Sequence, residues 1–198
     1  MTVLATVLVA TSGYVATYLN NVRLSQRKER LDRIERQLRE LYGPLFALHR
    51  TTTAAWKTFR STYREGIIPY WSAKNPPNDE ETTAWRLWIT EVFMPINEQM
   101  VQLVHDHADL LEETELPDPL LLLSVHVAAQ RAVLKAWQTE DYSRHTSGTS
   151  YPRDALEEYT VHHYQRLQRK HAEIIGAIYG DRLYGKGPEL ESPSPLGS

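Results

Sequence analysis

From Val22 to Leu41 the apolar positions are Val22, Leu24, Leu31, Ile34, Leu38 and Leu41. Leu24, Leu31 and Leu38 recur at heptad spacing, and Ile34 and Leu41 each sit three residues after one of them. That is the a/d seam of a helix facing another helix. Glu29–Arg33, Asp32–Arg36 and Glu35–Arg39 line its outer face as acid-to-base pairs one turn apart, each worth roughly 0.2–0.5 kcal/mol. The segment predicts a strongly helical stalk. Carried backwards, the register puts Ala10 and Thr17 at a and Thr6, Gly13 and Asn20 at d, a small-residue face on the same side of the helix. Small faces let helices approach closely in lipid. A parallel homodimer is therefore expected along Ala10, Gly13, Thr17, Leu24, Leu31, Ile34 and Leu38. The alternative is that the leucine face packs on the chain's own bundle, and Arg27 at a d position favours that alternative.

Gly43 and Pro44 interrupt this pattern without breaking its phase, since Leu38 and Leu41 before them and Leu45 and Leu48 after them keep the same a and d positions. The pattern predicts a kink at Gly43 and Pro44 inside a continuous helix, where the stalk becomes the first member of a bundle. Leu45, Leu48, Trp56, Phe59 and Tyr63 continue the apolar stripe to a stop near Gly66. Residues 66–79 read as a loop, with Pro69, Pro76 and Pro77 excluding a regular helix and Ile67, Ile68, Tyr70 and Trp71 expected to pack over the bundle. Asn78 or Asp79 caps the next helix, which carries Trp85, Trp88, Ile89, Val92, Phe93, Ile96, Met100, Leu103, Val104 and Leu111 and is kinked at Pro95. Asp118 as N-cap and Pro119 as first residue open a third helix. Residues 140–152 are polar loop, and a last helix runs from Pro152 to about Tyr179. No segment alternates as a strand does. The fold class expected is all-α: an N-terminal transmembrane helix continuing into a helical stalk, then an antiparallel four-helix-type bundle.

The membrane expectation comes from residues 3–19, "VLATVLVATSGYVATYL", which carry no charge. At 1.5 Å per residue they reach about 26 Å, the lower limit for a bilayer core. A cleaved signal peptide would want a basic stretch before the apolar run and a small-x-small cleavage site, and both are poor here. Arg23, Arg27, Lys28, Arg30, Arg33, Arg36 and Arg39 all follow the run, which puts the N-terminus outside and the body in the cytoplasm. The organisation expected is residues 1–22 as a transmembrane helix, 23–43 as a charged stalk, 44–180 as a helical bundle and 181–198 as a disordered tail rich in Pro, Ser and Gly.

The net charge of −3 conceals the basic stalk, so the remainder is acidic and poorly suited to nucleic acid. The chain has no cysteine, which excludes disulfides and thiol chemistry, and its 11 tyrosines and 5 tryptophans predict an aromatic core. No phosphate-binding loop, dinucleotide fingerprint, zinc-protease or nucleophile-elbow motif is present. His105 and Asp109 share a helix face, and His126 on the apolar third helix is placed to meet His105. With Trp85 and Trp88 beside the Pro95 kink, these residues outline a candidate ligand pocket. The plainer reading makes Trp85 and Trp88 core and the histidine cluster a solvated face. No Glu-x-x-His pair accompanies the histidines, so no metal or other cofactor is expected. Residues 161–171, "VHHYQRLQRKH", read as the wet face of an amphipathic helix.

The stretches "RQLRELYGPLFAL", "AWKTF", "AWRLWITEVFMPIN", "HADLLEETELP" and "DYSRHTS" together resemble a family of uncharacterised bacterial proteins. Each has one N-terminal span, a charged stalk and a helical body. The resemblance extends over most of residues 37–159. It implies a bacterial inner-membrane setting and no established activity, so no catalytic residue is carried over. The function expected is a membrane-anchored cytosolic interaction or scaffold module with a protein partner or a second copy of itself. A small-ligand sensor is the alternative, and an enzyme of unknown class the second alternative.

Overall fold

The computed structural model describes residues 2–67 and 69–183, with backbone alone for residues 2–13, 16 and 178–183. The described chain is all-helical. Its long helices are α1 (Thr2–Arg36), α2 (Gly43–Tyr63), α3 (Asp79–Trp88), α4 (Met94–Asp106), α5 (Asp118–Trp137) and α6 (Arg153–Leu183). It divides into two compact units, residues 36–167 and residues 2–35 with 168–183.

The larger unit is a bundle of four helical stretches. The first and second are each interrupted by one wide π-turn, Gln37–Tyr42 and Ile89–Phe93. Both turns have the same cause. Pro44 and Pro95 cannot donate to a carbonyl four residues back, and their rings would strike it. The chain inserts an extra residue instead. The amide of Gly43 then bonds to Leu38 O, and that of Met94 to Ile89 O, each five residues back. The expected kinks at Gly43/Pro44 and Pro95 thus take the form of π-turns. Leu41 and Leu45, on either side of Gly43, are both fully buried.

Asn78 opens α3 through a reciprocal capping box with Glu81. The loop before it packs inward. Tyr70 stacks on Trp85 at 4.8 Å, its hydroxyl donates to Glu81 O at 2.7 Å, and buried Arg64 pairs with Glu81 at 2.7 Å. Burial pushes the Tyr70 phenol up to about 12. Ile68 lies outside the described residues. α4 ends at Asp106 and a short 3-10 turn, Ala108–Leu110, follows it. α5 is capped by Pro117, with Asp118 already its first residue, one position earlier than the sequence pattern places it. α4 packs against both α2 and α5. The core centres on Phe59, whose ring lies 5.2–6.2 Å from those of Trp56, Tyr63, Tyr70, Trp85, Trp88 and Phe93.

Among the described residues, one helix is long and apolar enough to cross a membrane by length and composition, and it is α5. Leu120, Leu123, Val127, Val133 and Trp137 bury one of its faces in the bundle, as in the core helix of a globular body. In the smaller unit, α1 is helical through the apolar run, while the side chains of Ala10 and Gly13 lie outside the described residues. Further along the seam, Leu24 is 46% exposed, Leu31 is half-buried and Ile34 is buried at 9%. His171 reaches Glu35 at 3.3 Å within this unit. Of the expected tail, residues 181–183 end α6 and residues 184–198 lie outside the described residues.

Candidate functional site

A cavity of about 390 Å³ opens in the larger unit, lined from four separate segments of the chain. α2 brings Thr52 and Trp56. The stretch around the second π-turn brings Trp85, Ile89, Phe93, Met94 and Asn97. α5 supplies His126 and Gln130, the loop before α6 supplies Tyr151 with its hydroxyl residues, and Arg153 is the first residue of α6. The aromatic wall is built edge to face. Trp56 meets Trp85 at 6.0 Å and 80° and Phe93 at 5.9 Å and 64°, the geometry that ring quadrupoles prefer. The π-turn matters here because it inserts one residue between Trp85 and Phe93, which turns both toward α2.

The loop at residues 138–152 is tied across the bundle at three points. Trp85 Nε1 donates to His145 O at 2.8 Å, and Trp137 Nε1 donates to Arg144 O at 2.8 Å. His126 Nδ1 lies 3.0 Å from Thr149 O. A carbonyl only accepts, so His126 carries its proton on Nδ1 and leaves Nε2 as an acceptor. Trp71 stacks on His145 at 4.5 Å, nearly parallel. Gly148, at φ +78°, supplies a left-handed residue of the loop. Replacing Trp85 by Phe keeps the wall and removes one tie. The expected result is a loss of about 1 kcal/mol, with faster amide exchange confined to residues 140–152. Uniform acceleration across the helices would count against it.

Behind the cavity a relay runs from Tyr151 into the core. His49, fully buried, has Nε2 2.7 Å from Glu157 Oε2 and Nδ1 3.0 Å from the Tyr151 hydroxyl. The carboxylate only accepts, so His49 donates its Nε2–H to it, and neutral His49 accepts the Tyr151 O–H at Nδ1. Burial holds His49 below the ordinary histidine value, outweighing the opposing pull of Glu157. Burial also lowers His126, against the opposing hydrogen bond to Thr149, and raises the Tyr151 phenol. Glu157 is nonetheless held low. Its burial works to raise it, but the hydrogen bonds from Arg50 and His49 prevail.

These shifts set a pH dependence. The unfolded histidines bind protons below about pH 6.5 while folded His49 and His126 refuse them, so their contribution to stability is lost as pH falls through that range. Residue-resolved imidazole titration by NMR should show both below the ordinary histidine value of about 6.5. Titration of either at or above that value would refute it.

Arg153 is the one charged side chain among the lining residues. Its guanidinium carbon sits 5.2 Å from the Trp56 ring centroid. Burial lowers its value, and an arginine keeps its charge through such a shift.

Of the residues outlined by the sequence pattern, Trp85 and His126 line this cavity. Trp88 packs behind it on Phe59 at 5.4 Å and Phe93 at 5.8 Å. His105 and Asp109 are exposed and elsewhere, Asp109 lying 3.5 Å from Arg36. Among the described residues no group of His, Asp and Glu is placed to hold a metal ion.

Residues 161–171 hold more than a wet face. His163 is buried with Nδ1 3.2 Å from Glu112 and Nε2 3.2 Å from Glu113, stacked on Tyr42 at 5.1 Å. Arg166 also binds Glu112. This cluster clamps the segment after α4 onto the first π-turn and α6. No protein-family model matches the chain, and no curated protein or solved structure matches it significantly.

Proposed function

We propose that the protein is a membrane-tethered helical receptor for a small molecule, bound in the cavity of its body. The observation that carries this reading is the cavity itself. It combines an aromatic wall, a few neutral hydrogen-bonding groups, a single cation and a cover loop held by indole N–H groups. A volume of a few hundred Å³ with apolar walls and sparse polar groups is the usual form of a small-ligand site. The tether is the helical N-terminal segment, with its uncharged run followed by basic residues, in the bacterial inner-membrane setting that the sequence resemblance implies. The body then lies in the cytoplasm.

A thermal-shift and tryptophan-fluorescence screen of metabolites on the full chain in detergent tests the receptor. A ligand that raises the midpoint and quenches Trp56 or Trp85 emission, with both effects lost in Trp56→Leu, is the expected outcome. A screen in which every shift survives that substitution would remove the cavity from the reading. Because the chain has no cysteine, single cysteines at Thr2 and Ser25 report topology directly. Labelling of the first from outside and the second from inside is expected. The reverse pattern would invert the orientation.

A second reading, an interaction module acting as a homodimer, is favoured by Leu24, which stays 46% exposed on the stalk seam while Ile34 is buried. A second copy would zip along Leu24 and Leu31 rather than the whole seam. Oxidative crosslinking of Leu31→Cys in membranes tests it, and a chain that remains monomeric at all concentrations rejects it.

A further inference from the structure

We propose that the cavity takes a small monoanionic carboxylate on a flat apolar body, with its carboxylate on Arg153 and its body against Trp56, Trp85 and Phe93. The inference rests on the reading of this cavity as the ligand site.

Arg153 sits over the Trp56 ring at 5.2 Å, and a guanidinium presents its N–H groups as a planar fork that matches a planar partner. No hydrogen bond or ion pair within the protein occupies that fork among the described residues. The two nearby carboxylates are accounted for. Glu157 is held by His49 at 2.7 Å and by Arg50 at 2.8 Å. Asp154 is exposed and acts on Arg153 only through its field. A half-buried cation without a counter-charge is costly, and a ligand anion removes that cost. α6 begins at Arg153, so the positive end of its dipole adds to the same corner.

A second group is also left over. Gln130 borders the cavity at 3% exposure, and its amide nitrogen is buried with no partner. His126 adds an acceptor at Nε2. The lining holds one positive charge and no other, so a dianion such as a phosphate monoester would bring an unmatched charge against the aromatic wall. A carboxylate matches both the charge and the planar fork. The edge-to-face arrangement of Trp56, Trp85 and Phe93 suits a flat ring system better than a flexible chain, because a ring loses little freedom on being held.

The test uses isothermal titration of the full chain in detergent with three probes of one shape: 2-naphthoate, 2-naphthamide and 2-naphthylmethylammonium. The carboxylate should bind about tenfold or more tightly than the amide, as expected for hydrogen bonds to a charged partner. The ammonium should bind more weakly than either. In Arg153→Gln, with its helix content checked by circular dichroism, the acid should lose its advantage while the amide still binds. Equal binding of acid and amide to the unmodified protein would overturn the inference and leave the ligand site standing. Failure of all three probes to bind would overturn both.

Discussion

Gly43→Ala should destabilise the body by about 2–3 kcal/mol, the cost of overpacking at a site that cannot give way. A Cβ at Gly43 would lie 2.3 Å from Leu38 O, a backbone atom that cannot swing aside. The contact arises because the π-turn brings that carbonyl over the position of residue 43 to receive its amide. Relief requires the turn to collapse toward α geometry, and Pro44 blocks that route. Removing the extra residue would also rotate Leu38, Leu41 and Tyr42 by about 100° relative to Leu45. Gly176→Ala provides the control. Nothing lies within 4 Å of a Cβ there and the position is exposed in α6, so alanine should be neutral or stabilise by up to about 1 kcal/mol. Urea unfolding of both variants measures the contrast. Equal midpoints would show that the π-turn does not require glycine.

The second large effect is Phe59→Ala, expected to cost about 3–5 kcal/mol. Phe59 is fully buried and touches six aromatic rings, three of which (Trp56, Trp85 and Phe93) form the cavity wall. The substitution should therefore do two things that an ordinary core deletion does not. It should lower the urea midpoint, and it should loosen the wall, seen as red-shifted tryptophan emission before global unfolding. Phe59→Leu should recover part of the stability and less of the emission. A variant that loses stability with unchanged native emission would show that the wall stands without its support.

Some of this was legible along the chain. The cap at Asn78 or Asp79, the interruptions at Pro44 and Pro95, and the inward packing of Tyr70 are local matters of backbone chemistry and apolar spacing. The stripe on α2 was legible in part. Phe59 and Leu45 are buried as their spacing predicts, but the same face also buries His49 and Thr52, at 0% and 4% exposure. No spacing rule announces that, because their partners Glu157 and Asn97 lie far along the chain at 2.7 and 3.4 Å. His105 and His126 illustrate the converse. Helical phase decides which neighbours share a face, but it does not say which faces of two helices meet.

The sequence by itself determined the helices, the two proline sites and the aromatic character of the core, since each depends on residues within a few turns of one another. The tertiary structure alone decided the cavity. Thr52, Asn97, Gln130 and Arg153 converge from separate segments, and that convergence depends on a π-turn that shifts helical phase by one residue and on a loop held by two indole N–H bonds. Arg153 carries no local mark, because its proposed role depends on the Trp56 ring beneath it and on the absence, among the described residues, of a protein carboxylate within ion-pairing reach.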